Sequence, residues 1–177
     1  GKSPLIVFDD ADLDEAIAIA DVGLFFNQGQ VCCASSRIYG KLFLTKKKTN
    51  HHYLSIIVHE NIYDKFVAKA VAVAKSKKMG NPLQADTTHG PQVDGEQVSR
   101  ILHYVELGKK EGATLNCGGK KAGDKGYFVE PTVFSDVQED MTISKEEVRL
   151  TCSFSLIIVL LCSDLWSCHV HCEILYC

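Results

Sequence analysis

The sequence predicts an α/β fold, a mostly parallel sheet with helices on both faces. Three observations carry this expectation. Strand-like apolar or β-branched runs alternate with helix-like segments through the first 134 residues, the order from which parallel sheets are built. The helical segments repeat their apolar residues at three-to-four spacing, with capping and stop residues where helices need them. A chain of 177 residues also suffices for one domain with a hydrophobic core.

Leu5-Ile6-Val7-Phe8 reads as a short buried strand. The acidic run Asp9-Asp10-Ala11-Asp12 suits a helix N-terminus, where carboxylates satisfy free N–H groups and oppose the helix dipole. The helix is expected from Leu13 to Phe26, with Ala16, Ile17, Ala20 and Leu24 on its inner face, and Gly29 permits the turn that ends it. A strand follows at Ser35 to Tyr39. Residues 40–57 show no clear period, although Leu54 to Val58 suits a strand. A second helix is expected from Ile62 to Lys78, with Ile62, Phe66, Ala70, Val73 and Ala74 in register and Gly80 and Pro82 as its stop. After a loop at 81–92, a third helix spans Gly95 to Gly112 with Val98, Ile101, Leu102 and Val105 on one stripe. Thr114 to Cys117 is read as a strand, and so is the aromatic, β-branched stretch Gly126 to Phe134. Pro131 argues against an interior sheet position there.

Composition excludes several functions. Hydrophobic residues make up 46% and charged ones 23%, with a formal net charge of −3. That balance is no footprint for nucleic acid or for an anionic membrane surface. Lys46-Lys47-Lys48 is short and reads as a solvated loop. The longest apolar stretch, Leu156 to Cys162, falls well below the roughly 20 residues of a membrane span, and reads as an apolar strand or an aggregation-prone segment. The opening Gly1-Lys2-Ser3-Pro4 has neither an initiator Met nor a leader pattern, and is read as the start of an incomplete chain. Of the eight cysteines, Cys32 and Cys33 are adjacent and five lie from Cys152 onward, which fits free thiols in a reducing compartment better than a disulfide framework.

Chemistry concentrates in Phe25-Phe26-Asn27-Gln28-Gly29-Gln30-Val31-Cys32-Cys33. A thiol just after a helix end and a turn can be surrounded by backbone N–H groups, which favour a thiolate and can hold an oxyanion. Phe25 and Phe26 offer an apolar wall. The same pair of cysteines also suits plain core packing, because free Cys is among the most buried residue types. The residues alone leave both readings open.

The pattern Phe-x-x-x-Gly-Gln-x-Cys, followed by small residues and Arg37, resembles the active-site cysteine motif of the aldehyde dehydrogenase family. Phe8-Asp9-Asp10-Ala11-Asp12-Leu13-Asp14, Ile62-Tyr63-Asp64-Lys65-Phe66-Val67, Gly90-Pro91-Gln92-Val93-Asp94, Gly112-Ala113-Thr114-Leu115, Gly118-Gly119 and Gly126 to Phe134 match in order. Lys145-Glu146-Glu147-Val148 resembles the start of the family's Glu-x-Phe-Gly-Pro motif. Cys33-Ala34-Ser35-Ser36-Arg37 is similar to plant cytosolic and mitochondrial members. The resemblance implies a Rossmann-like partial catalytic domain at 1–148, with 40–57 as an unmatched insertion and 149–177 as an unmatched Cys-rich tail. Both unmatched segments read as foreign to the family, such as translated intron.

By that resemblance Cys32 is the nucleophile, and Phe26, Val31 and Cys33 line the substrate tunnel. Glu147 and Gln97 approach the cofactor ribose, with Arg100 beside them. The implied cofactor is NAD, with NADP open. The implied reaction takes an aldehyde to its acid through a Cys32 thiohemiacetal and thioester. The family's glutamate base and oxyanion asparagine match no residue here, so the isolated chain is expected to be inactive. The resemblance further implies a small-molecule aldehyde substrate, no nucleic-acid or membrane partner, homo-oligomers in full-length relatives, and a cytoplasmic location with the mitochondrial matrix open. Two other classes stand beside it. One is a catalytically dead fragment that pairs with full-length relatives. The other is a thiol-redox or metal protein built on Cys168-His169-Val170-His171-Cys172, whose spacing suits no common tetrahedral site.

Overall fold

The computed structural model describes residues 5–31, 34, 37–40, 56–58, 60–138, 140–146 and 157–162. Its centre is a six-stranded sheet. The strands are β1 (Ile6–Val7), β2 (Arg37–Gly40), β3 (Ile56–Val58), β4 (Thr114–Cys117), β5 (Thr132–Val137) and β6 (Ile157–Cys162). They lie in the order β1-β3-β2-β6-β5-β4. Every neighbouring pair is parallel except β4 and β5, which run antiparallel with Thr114 opposite Ser135. The expected mostly parallel sheet is therefore present, with one antiparallel edge.

Helix α1 (Leu13–Phe25) begins where the acidic run predicts. The Asp12 carboxylate accepts from Asp14 N–H at 2.9 Å and Glu15 N–H at 3.1 Å, satisfying two donors that no helical carbonyl can reach. Asp12→Ala is expected to cost about 1 kcal/mol, read as a lower urea midpoint at unchanged slope. Ile17, Ala20, Leu24 and Phe25 form the buried face.

Helix α2 (Tyr63–Ser76) buries Phe66, Ala70 and Ala74, and helix α3 (Gly95–Glu111) buries Val98, Ile101 and Val105, the stripes that the periodicity predicts. Gly112 closes α3 in the left-handed region at φ 100°, where glycine carries no Cβ penalty. At Gly108 the helix comes close to the sheet. A Cβ there would stand 2.8 Å from Ile143 Cδ1 and 3.3 Å from Phe134 Cζ. Ile143 belongs to the one-turn helix α4 (Thr142–Lys145). Val58, Phe66, Ile101, Val105, Val129, Val133, Phe134 and Val137 are the most completely buried apolar residues of the common core.

Two expectations need correction. Helix α2 stops at Ser76, with Lys77 extended, rather than running to Lys78 and ending on Gly80. The cause is tertiary. Thr88 N–H and His89 N–H both donate to the Lys78 carbonyl, and Thr88 Oγ1 accepts from Lys78 N–H, so the chain leaves the helix to pair with the 87–89 segment. Likewise the strand expected over Gly126 to Phe134 starts only at Thr132. Pro131 has no N–H to offer a ladder. The residues before it pair instead with 120–122, through Glu130 N–H to Lys120 O and Ala122 N–H to Phe128 O, each 3.0 Å.

Both segments that the resemblance was expected to leave unmatched, 40–57 and 149–177, contribute strands. β3 includes Ile56 and Ile57, and β6 lies wholly in the tail, between β2 and β5. The lysine run at 46–48 and the Cys-His cluster at 168–172 lie outside the described residues.

Candidate active site

The motif's turn sits at the C-terminal end of α1. Phe26–Gly29 form a single tight turn in which Asn27 (φ 48°), Gln28 (φ 56°) and Gly29 (φ 73°) are left-handed in succession. Gly29 alone was expected to need that region. Asn tolerates that region better than most residues, but for Gln28 it costs about 1–2 kcal/mol, as for an ordinary side chain.

Side-chain amides hold this backbone. Asn27 Nδ2 donates to Gln30 O, and Gln30 Nε2 donates to Asn27 O, both at 3.2 Å. Gln30 Nε2 also reaches Pro91 O at 3.5 Å, and Gln30 Oε1 accepts from Val93 N–H at 2.9 Å. The Gln28 amide, oriented as its partners require, accepts from Gly90 N–H at 3.0 Å and donates to Asn27 O at 3.3 Å. The turn is thereby fastened to residues 90–93. Asp94 then caps α3 by accepting from Gln97 N–H at 2.8 Å.

Behind the turn lies a polar cluster. His89 is 1% exposed, and among the described residues neither ring nitrogen has a well-formed hydrogen-bond partner, the Val129 backbone being the nearest candidate. Its ring meets Phe25 edge-on at 6.2 Å between centroids. Lys77 Nζ stands 5.5 Å from the Phe25 ring centroid and pairs with Asp21 at 2.6 Å. Burial, and then the positive charge of Lys77, lower the His89 pKa to about 4, against the opposing influence of Asp21 and of the Val129 backbone. At neutral pH His89 is an uncharged spacer between α1, α2 and the 90–93 segment.

Of the predicted site residues, Phe26 is 65% exposed and Val31 is half-buried. Gln97 is completely buried in the first turn of α3. Arg100 is exposed and pairs with Glu96 at 2.6 Å. Cys32, Cys33 and Glu147 lie outside the described residues. Sequence reasoning missed the clamping amides of Gln28 and Gln30 and the buried His89. The amide-rich run Asn-Gln-Gly-Gln was a legible signal for the first two; a lone His before Gly-Pro gave none. Among the described residues no group of acids, histidines and cysteines could hold a metal ion, and no helix is long and apolar enough to cross a membrane.

A mostly parallel sheet with helices packed on it, and a strained turn at the end of the first helix, define part of an α/β domain. A sequence profile described as "Aldehyde dehydrogenase family" matches residues 1–149, and the chain belongs to that family. It is 51% identical over 148 residues to a mitochondrial aldehyde dehydrogenase of Homo sapiens, covering 84% of this chain and 25% of that protein. It is 49% identical over 148 residues to cytosolic aldehyde dehydrogenase 1 of Rattus norvegicus, covering 84% of this chain and 26% of that protein. Among solved structures, an NAD+ complex of aldehyde dehydrogenase from Bacillus cereus matches with a TM-score of 0.76 at 43% identity, over 93% of this chain and 29% of that one. The chain thus spans about a quarter of the length of the curated relatives it matches.

Proposed function

We propose that this chain carries the nucleophile-bearing part of an enzyme that oxidises an aldehyde to its carboxylic acid with NAD(P)+, NAD before NADP. One observation carries the reading. Cys32 follows Gly29-Gln30 by the family's spacing, and the turn ahead of it is strained and clamped to the 90–93 segment. Turnover is proposed for a whole enzyme, to which this chain corresponds over about a quarter of its length, and not for these residues on their own. Residues 1–148 form the part of the catalytic domain, with 40–57 and 149–177 as additions to it. Relatives include cytosolic and mitochondrial proteins; the cytoplasm is the proposed location, and homo-oligomers the proposed assembly.

In this reading the Cys32 thiolate adds to the aldehyde carbon, and backbone N–H groups beside it stabilise the oxygen that takes up the charge. Phe26, Val31 and Cys33 form the apolar approach for the substrate. NAD+, when bound, supplies the hydride acceptor. Glu147 and Gln97 are the candidates for holding it, Gln97 from a buried position in the first turn of α3. The NAD proposal is supported by the family and by the Bacillus cereus complex.

A second reading has one observation in its favour. Ile19 and Val22 on the outer side of α1, and Phe26 just past its end, are 50%, 63% and 65% exposed. Such an apolar stripe would let an inactive fragment pair with a full-length subunit.

Brief labelling of the chain with iodoacetamide at neutral pH, read by mass spectrometry, separates the two. Cys32 is expected to be modified at least about tenfold faster than any other of the eight thiols, as a lowered thiol pKa requires. In Cys32→Ala the fast site should vanish without any other thiol speeding up. Equal labelling of all eight would remove the nucleophile reading and leave the pairing one.

A further inference from the structure

Left-handed conformations at two successive non-glycine residues persist only where the surroundings over-determine them. In the turn at Phe26–Gly29 the best-connected holding group is the side chain of Gln30. Its amide donates back into the turn at Asn27 O, donates outward to Pro91 O, and accepts from Val93 N–H. All the polar atoms of one side chain are thus spent in joining two backbones that are 61 to 63 residues apart in sequence. Val93 is followed directly by Asp94, whose carboxylate caps α3. Beneath the joined segment, His89 is packed edge-on against Phe25, so the segment is supported from below by the end of α1.

We propose that Gln30 is a positioning residue for the thiol of Cys32: its amide locks the left-handed turn to the segment that leads into α3. The proposal rests on the reading of Cys32 as the nucleophile. Two residues of chain reach no more than about 7 Å, so a turn released from Pro91 and Val93 carries the thiol with it. The reactivity of a thiol depends on the N–H groups and charges immediately around it, and a displacement of about 1 Å is enough to change them. The role differs from that of Gln28, which reaches only Gly90 and its own neighbour Asn27. Among the described residues, the Gln30 side chain is the one that reaches the residue beside the α3 cap.

The test measures the rate of Cys32 modification by iodoacetamide from pH 5.5 to 9.5. It uses the full chain as wild type, Gln30→Ala, Gln30→Glu and Gly112→Ala. Gln30→Glu keeps an acceptor for Val93 N–H and loses both donated bonds. Gly112→Ala strains the far end of α3, where φ is +100° and nothing lies within 4 Å of the added Cβ. It therefore lowers Tm without touching the turn. In Gln30→Ala the neutral-pH rate at Cys32 is expected to fall at least about tenfold, with the midpoint of its pH profile moving up toward that of a free thiol near 8.5. Gln30→Glu should fall between Gln30→Ala and the wild type, and Gly112→Ala should keep the wild-type profile.

A wild-type profile in Gln30→Ala would overturn the proposal. So would a shift in Gly112→Ala as large as that in Gln30→Ala, because the effect would then be one of stability alone. If Gln30→Ala does not fold, Gln30→Glu decides, and an unchanged profile there overturns the proposal equally. Should wild-type Cys32 show no preference over the other thiols, the nucleophile reading itself fails, and the inference falls with it.

Discussion

Gly118→Ala is expected to destabilise the fold by more than about 3 kcal/mol, among the largest effects of any single methyl group in the chain. Gly118 is left-handed at φ +72°, and a Cβ there would stand 2.2 Å from the Pro131 carbonyl oxygen and 2.8 Å from its carbon. The obstacle is backbone, and it is pinned. Thr132 Oγ1 donates to Glu130 O at 2.7 Å and accepts from Gly119 N–H at 2.9 Å, and Thr132 then enters β5 completely buried. Relief would require moving either the end of β4 or the start of a central strand. Gly112→Ala isolates the conformational part of the cost. Its φ is +100°, yet the space around it is open, so only about 1 kcal/mol is expected. Urea denaturation of both variants measures the difference, and equal small losses would show that Pro131 can yield.

The second large effect is a pH dependence. In the unfolded chain His89 titrates near its ordinary 6.5, whereas in the fold it is lowered to about 4. Between those values the unfolded state holds more protons, so stability rises with pH through that window and is flat below it. A fall from 6.5 to about 4 corresponds to about 3 kcal/mol, present in full above pH 7 and lost by pH 4. The group is almost completely buried and faces Lys77, just past the end of α2, and Asp21 of α1, so solvent does little to soften the penalty. Comparing urea midpoints at pH 8 and pH 4.5 for the wild type and His89→Leu isolates this contribution from that of the carboxylates. The wild type should lose distinctly more than the variant; parallel losses would mean that His89 takes up its proton without disturbing its surroundings.

Much of the fold was legible because it depends on local periodicity. The buried faces of α1, α2 and α3 follow from residues three and four apart, and Asp12 caps α1 as a carboxylate before an apolar run should. What was not legible depends on distant partners. The early end of α2 is set by Thr88 and His89, ten or more residues further on. The aromatic stretch before Pro131 has the composition of a strand but pairs with Lys120 and Ala122, outside the sheet. At the candidate site the sequence motif pointed to the turn and to Gly29. It gave no hint that Asn27 and Gln28 share the left-handed region, nor that the amide of Gln30 spans to Val93, because such ties exist only once α1 and the 90–93 segment have met.

The position of β6 bears on how the molecule is made. The β1-β3-β2 half of the sheet and the β5-β4 half are joined only through this strand, which comes after every other strand in the sequence. During synthesis both halves must wait with a bare row of N–H and C=O groups where β6 will lie, and such edges are templates for pairing with other chains. Closing the sheet by contacts more than a hundred residues apart between β2 and β6 is a slow topology that leaves a nascent chain open to aggregation until β6 has been made. The sheet's midline is therefore also its latest seam, and a demand for chaperone protection is written into the strand order.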